Sequence, residues 1–494
     1  MNNRIAAPVL ALTLGACTLP PSNAGETLDG SGSTSTATTG DSDPSASGNG
    51  EVTGSPTTSG NDTGTETGEP GCTPGKGERG CSRELDVLIV VDNSAQMGHE
   101  QLRLARAMPS LVERFSNATT ADGTPLDLDV QIMVTTTDMG SPLCDGFNPP
   151  GYTPAAGSPT LTACTERLDD FTGLDGMTIL PEACTDACPT GVAATGNFVA
   201  FDATGSNVPA GPDIDIDGDG VLDPPVAQAL ACLVPQGING CGYEAPLESM
   251  LQALSPLAAW NTGPQAFLRA DAALAVVLMT DEYDCSLANP APLLNADNYN
   301  VSPASGAPQL SSAACWNAGV DCVDANDDGI YESCVPSRDP GFHPIERYTD
   351  FLTTDLEQML GKEVAMLQLV GVPSVTAHAA DPPFEPAAGG VDALVYRDWI
   401  DFPFPAGDID PAEWDQGING AQKQFEWGIG PGCTGLLDGR PEFAGQALPP
   451  VRMLEVCQSL DLPGGSKGTR CCVESICDAD LSPSFGCLLG MVSG

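Results

Sequence analysis

Apolar positions along the chain alternate between short unbroken runs and longer segments with helical spacing. Residues 87–91 are all β-branched or aliphatic, the pattern of a strand covered on both faces of a parallel sheet. The run stops at Asp92-Asn93-Ser94. Residues 96–115 then carry Met97, Leu102, Leu104, Met108, Leu111, Val112 and Phe115 at roughly helical spacing. Strand, acidic turn and helix in that order place Asp92 and Ser94 at the carboxyl end of a central strand. That edge is where open α/β sheets bind ligands.

The alternation continues. A second strand is predicted over 126–136, ending in the polar turn Thr137-Asp138-Met139-Gly140. Helical patterning returns at 226–233 and 243–260. A second buried strand over 272–281 closes in Asp281-Glu282-Tyr283-Asp284-Cys285. Helix 345–360, strand 364–372, helix 451–460, strand 472–476 and helix 481–492 complete the series. This order predicts an α/β fold, a doubly wound and mostly parallel sheet with helices on both faces. Three stretches near 141–223, 285–340 and 377–448 are rich in Pro, Gly, Cys and Asp and too long for plain loops. They are expected to be cystine-rich insertions within a single domain over 72–494.

The amino-terminal part reads differently. Arg4, an apolar run over 5–14 and Leu14-Gly15-Ala16-Cys17 form a secretory signal over 1–17, too short to span a membrane. The ending resembles the bacterial lipobox, which implies lipid on the Cys17 thiol. Thr18 in place of an aspartate implies an outer-membrane lipoprotein, facing the periplasm or the cell surface. An ordinary signal peptide with an incidental cysteine is the alternative. Residues 18–71 hold no aromatic, Lys or Arg and are expected to form a disordered acidic tether. The membrane would then be met through the lipid anchor alone.

Composition changes two parts of this picture. Of 19 cysteines, setting aside Cys17 leaves 18, an even number suited to disulfides in an oxidising compartment. Local pairs offer themselves at Cys72/Cys81, Cys184/Cys188 and Cys322/Cys334, although sequence does not fix connectivity. Zinc is disfavoured, with no Cys-x-x-Cys and only His99, His343 and His378. His99 is expected on a helix surface. The net charge of −48 excludes nucleic acid as a partner, since phosphate binding needs clustered Lys and Arg. It favours solubility in salt and cation binding.

Asp92-x-Ser94 after one long strand, with Thr280-Asp281 ending another, resembles the von Willebrand factor type A (VWA) family. More narrowly, the chain is similar to the cysteine-rich VWA-like lipoproteins of myxobacteria. That similarity rests on Val91-Asp92-Asn93-Ser94, Thr136-Thr137-Asp138-Met139-Gly140, Gly240-Cys241-Gly242-Tyr243-Glu244-Ala245-Pro246-Leu247-Glu248, Asp281-Glu282-Tyr283-Asp284-Cys285-Ser286 and Ser475-Ile476-Cys477. The resemblance implies a Mg2+ or Ca2+ site at the strand ends, held by Asp92, Ser94 and Asp281. Gln96 stands where the family has its second serine. No threonine stands in the glycine-rich loop, and Glu244, or Thr137 with Asp138, is the expected substitute. The competing reading is helix capping, with Asn93 and Gln96 as a capping box.

Two further acidic loops have calcium-loop spacing. Asp215, Asp217, Asp219 and Asp223 surround Gly220, and Asp324, Asn326, Asp328 and Glu332 surround Gly329. Both lack an acidic residue at the twelfth position, where Val226 and Val335 stand. Calcium is expected to order insertions that lack a core of their own. Enzyme signatures are absent: there is no nucleophile elbow outside low-complexity sequence, no His-Glu-x-x-His and no phosphate loop. The expected function is divalent-cation-dependent binding of a protein or carbohydrate partner by a tethered domain. The alternatives are a hydrolase using carboxylates such as Asp281 and Glu282, or a structural envelope protein with a degenerate metal site.

Overall fold

A computed structural model describes residues 84–494 apart from 121–122, 145–150, 175, 177, 190, 400–419, 437–443, 462–468 and 494. The signal segment, the tether, Cys17 and the Cys72/Cys81 pair lie outside the described residues. All described residues belong to one compact unit, Gly68–Gly494. No helix among them is long and apolar enough to cross a membrane.

The main sheet is built from strands β1 (Glu84–Val91), β2 (Asp129–Thr136), β3 (Val199–Asp202), β4 (Gly205–Ser206), β5 (Ala273–Met279), β6 (Val364–Val370) and β7 (Cys471–Ser475). Their spatial order is β7-β6-β5-β1-β2-β3-β4. Strands β1, β2, β5, β6 and β7 are parallel, in register from Leu85 beside Ala273 to Val91 beside Met279. The short β3 and β4 add antiparallel at one edge. From β1 the chain first builds outward through β2, then returns to the other side of β1 with β5. The crevice between β1 and β5 is therefore the switch point of the sheet.

Period-two burial explains the layers. Leu85, Val87, Ile89 and Val91 of β1 and Ala273, Ala275, Val277 and Met279 of β5 face one core. Helices α1 (Gly98–Ser116), α2 (Pro225–Leu233) and α6 (Ser484–Ser493) belong to that side. Leu88, Val90, Leu274, Val276 and Leu278 face the other core, with α3 (Pro246–Ala253), α4 (Glu346–Asp350, continuing as a π-helix over Phe351–Met359) and α5 (Val451–Gln458). A strand covered on both sides needs apolar residues at every position, hence the unbroken runs.

Several expectations need correction. The stretch 141–223 is not wholly an insertion, because it supplies β3 and β4 to the main sheet. The helix expected over 243–260 runs only from Pro246 to Ala253, and Leu257 is 92% exposed. Proline opens it, and Leu254 to Ala258 close it in hydrogen-bonded turns. The insertions also have cores of their own. One gathers Tyr283, Leu293, Trp316, Phe342, Trp399, Trp427 and Ile429; another gathers Phe171, Ala183 and the cystines around Cys164 and Cys188.

Eight disulfides join described residues, as fits an oxidising compartment. Cys322–Cys334 is as expected. Cys184 and Cys188 do not pair with each other; Cys184 bonds Cys164 and Cys188 bonds Cys232, pinning the 164–188 region to α2.

Candidate metal centre

The carboxyl ends of β1 and β5 meet directly. The Asp92 backbone N–H donates to Met279 O at 2.9 Å, extending the β1/β5 ladder by one bond. The Asp92 side chain is wholly buried. Its Oδ1 accepts the Ser94 N–H at 2.7 Å and its Oδ2 accepts Thr280 Oγ1 at 2.5 Å. Gln101, one turn into α1, donates Nε2 to Asp92 O at 2.7 Å and to Gly237 O at 2.8 Å. Its Oε1 accepts from the N–H of Gln236 at 2.9 Å. The acidic turn is thus held from β5, from α1 and from the glycine-rich loop before α3.

That loop closes over the turn. Gly240 N–H donates to Asn93 O at 2.8 Å, and the residue packs against the Asn93 side chain so closely that a Cβ would have no room. Cys241 is bonded to Cys144. Glu244 then enters between the ends of β2 and β5. Ala245 N–H donates to Thr137 O at 3.1 Å, Cys285 N–H donates to Glu244 O at 2.6 Å, and Thr137 Oγ1 donates to Glu244 Oε2. Glu244 is 0% exposed.

Asp92, Asp138, Glu244, Asp281 and Glu282 are all buried here. Among the described residues, no Lys or Arg forms an ion pair with any of them. Nearby Glu100 shares Arg103 at 3.2 Å. Burial pushes Asp281 well above the ordinary carboxylate range, and the charges of Asp92, Glu282 and Glu100 add to it. Burial, then Asp92 and Asp138, do the same to Glu244. Burial and Asp92 raise Glu282. Asp92 is also raised by burial, opposed by its bonds from Thr280 and Ser94.

Four oxygens in this cluster have no hydrogen bond of normal geometry: Asn93 Oδ1, Ser94 Oγ, Glu244 Oε1 and Asp281 Oδ1. Buried polar atoms left in that state are costly. A hard cation with oxygen ligands would satisfy them and supply the missing positive charge, so the donor set fits Mg2+ or Ca2+. The fit rests on one hydroxyl and one amide oxygen together with two carboxylates. No three carboxylates of the cluster close to within 4.8 Å of one another, as those of Asp215, Asp217 and Asp223 do.

The structure separates the expected ligands. Asp92, Ser94, Glu244 and Asp281 are buried together at the strand ends, but the three carboxylates do not gather around one point. Gln96 is exposed outside the cluster, because its position on the turn points to the surface. Asp138 is buried beside the cluster but already engaged: Oδ1 accepts Gly140 N–H at 2.7 Å, and Oδ2 accepts Tyr152 OH at 2.6 Å and Cys241 N–H at 3.2 Å. The capping box does not form. Helix α1 starts after Met97 without a side-chain cap, and Asn93 Nδ2 donates to Tyr152 OH at 3.1 Å. His99 is buried, not on the helix surface. Tyr152 bridges Asn93 and Asp138 from an irregular stretch with no periodicity to announce it.

The turn after β5 is braced from below. Asp284 pairs with Arg452 Nε at 2.9 Å, both fully buried, and accepts Ser286 Oγ at 2.6 Å. It also accepts Leu247 N–H at 3.2 Å, placing a carboxylate at the start of α3, where the helix dipole favours it.

The two acidic loops differ. Asp215, Asp217 and Asp223 bring ligand oxygens within 4.8 Å of one another, with Gly218 and Gly220 in the left-handed region at φ 82° and 87°. Asp219 is not in that set; its Oδ1 accepts Val221 N–H at 2.6 Å. In the other loop Asp324 accepts the N–H groups of Asn326, Asp328 and Gly329, which hold its carboxyl below the usual range. Glu332 accepts from Ala325 N–H and Asn326 Nδ2, and Asp328 accepts Ile330 N–H. These four side chains close the loop on itself and do not gather around one point. Cys164, Cys184 and Cys188 also cluster, but each is spent in a disulfide and offers no thiolate.

No family model matches the chain, and no curated protein matches it.

Proposed function

We propose that the chain is a lipid-anchored, VWA-like domain that holds one divalent cation at the β1/β5 switch point and binds a protein or carbohydrate partner in a cation-dependent way. The observation that carries this reading is the set of buried oxygens on Asn93, Ser94, Glu244 and Asp281 without a hydrogen bond of normal geometry, inside a carboxylate cluster that has no Lys or Arg partner among the described residues. Supporting it are the reversal of strand order at β1 and the Thr280–Asp92 bond across it. Adhesion follows from the resemblance and from the location of the site, at an edge where loops rather than helices cover the sheet. The Asp215 loop is a second cation site in this reading, placed to order its insertion.

Anchoring through Cys17 would place the domain on the outer membrane, held off the surface by residues 18–71. Two experiments test the proposal. Capture from cell envelopes should recover a partner that chelator releases; recovery unaffected by chelator would contradict cation-dependent binding. Palmitate labelling should be lost in Cys17→Ser, and labelling that persisted would refute the anchor.

A further inference from the structure

We propose that the cleft between α1, the Asp215 loop and the turn over 479–482 binds a small zwitterion, its carboxylate on Arg103 and Arg106 and its ammonium on Asp219. This is the chemistry of a free amino acid or a short peptide. The cleft has a volume of about 310 Å3. That stands at the lower end of the range for small-molecule sites, about 300–1,000 Å3. Arg103 and Arg106 line it from α1, one turn apart. Asp217 and Asp219 line it from the acidic loop, and Asp480 from the turn that follows β7. The proposal does not depend on the strand-end cation.

The two signs are held apart. Arg103 is 6% exposed and fixed in place: Nη1 donates to Asp478 O at 2.5 Å and Nη2 to Glu100 Oε1 at 3.2 Å. Its Nε is buried without a hydrogen bond of normal geometry. The carboxylates turn to their own backbone. Asp217 Oδ1 accepts Asp219 N–H at 3.1 Å, Asp219 Oδ1 accepts Val221 N–H at 2.6 Å, and Asp480 Oδ1 accepts Ser482 N–H at 2.9 Å. Among the described residues, no ion pair joins these three carboxylates to either arginine. Opposite charges that share a cleft without meeting across it are complementary to a ligand that carries both. A simple anion would be repelled by the three aspartates, and a simple cation by the two arginines. The guanidinium fork suits a carboxylate. Asp217 also belongs to the cation loop, which leaves Asp219 to the ammonium whether or not that loop is loaded.

Calorimetric titration of the full chain, in saturating Ca2+, with alanine, Ala-Ala and Ala-Ala-Ala tests the proposal and shows which length fits. The expected result is one-to-one binding of at least one of the three. N-acetylation of that ligand removes its ammonium, and amidation removes its carboxylate. Each should weaken binding at least about tenfold, as the loss of a charge-assisted contact does. R106Q should weaken the zwitterion to the level of its amide and leave the amide unchanged. D219N should do the same with respect to the N-acetyl form. A loss of fold would instead abolish binding of every form, and the blocked ligands on the unaltered protein decide the matter without a variant. No binding of any of the three, or blocked forms bound as well as the free one, would overturn the proposal. So would R106Q and D219N proteins that keep the full preference for the free ligand.

Discussion

Thr280 Oγ1 donates to Asp92 Oδ2 at 2.5 Å, joining the ends of β5 and β1 where the chain crosses from one half of the sheet to the other. The bond fixes the carboxylate that every reading of this site depends on. Thr280→Val keeps the shape and removes the donor. It should destabilise the fold by about 1–3 kcal/mol, the cost of a lost hydrogen bond to a buried charged group. Cation affinity should fall about 10- to 100-fold, as for other contacts that orient a ligand. Denaturant unfolding with and without Ca2+ measures both. If neither changes, Thr280 does not position Asp92.

The buried carboxylates set the sign of the pH dependence. Asp92, Glu244, Asp281 and Glu282 are all raised, so the folded state binds their protons more tightly than the unfolded chain does. Above the ordinary carboxylate range, about pH 4, the folded state therefore holds more protons and its stability falls as pH rises. A bound cation removes the cause. Melting temperatures of chelated protein should fall between about pH 5 and pH 7.5 relative to cation-loaded protein. The gap between the two curves should vanish in D92A/D281A. A constant gap across this range would contradict the coupling.

A separate pair lies at the far edge of the sheet. Burial raises Glu474 on β7 to about 7, with His378 Nε2 at 2.9 Å opposing the shift. His378 belongs to a short hairpin, Ala377–His378 with Pro386–Ala388, and Asp478 adds a like charge. Because the folded value is the higher one, stability relative to Glu474→Gln should fall as pH rises from about 4.5 to about 7 and then level off. Equilibrium unfolding of both proteins across that window checks this. A difference that grows with pH in favour of the glutamate would reverse the sign.

Cys144–Cys241 closes a loop with a sequence separation of 97 and holds the segment that carries Glu244. Chain entropy puts its worth at up to about 4–5 kcal/mol for a loop of that size. C144S/C241S should lose stability of that order and weaken cation binding together, because the freed segment leads directly into Glu244, which is buried at the site. Loss of stability with unchanged cation affinity would separate the disulfide from the site.

These tests draw on features that differ in how readable they are from sequence. The central strands are legible because a strand buried on both faces must be apolar throughout, as 87–91 and 273–279 are. Asp92 and Asp281 are legible for the same reason, since the polar turn that ends such a run must lie at a sheet edge. Edge strands carry no such demand. Val199–Asp202 is four residues long and half exposed, so nothing marks it. Gln96 fits a spacing but not a surface: the turn carries it outward. Tyr152, Gln101 and the cystine partners reach the site across long sequence separations, which no local period encodes.

Calorimetric titration of the metal-stripped protein with Ca2+ and Mg2+ tests the central claim most directly. Two classes of uptake are expected. One should be lost in D92A/D281A and kept in D217N/D223N, and the other should show the reverse. Uptake at the strand ends that D92A/D281A leaves unchanged, or no uptake beyond the Asp215 loop, would contradict the account.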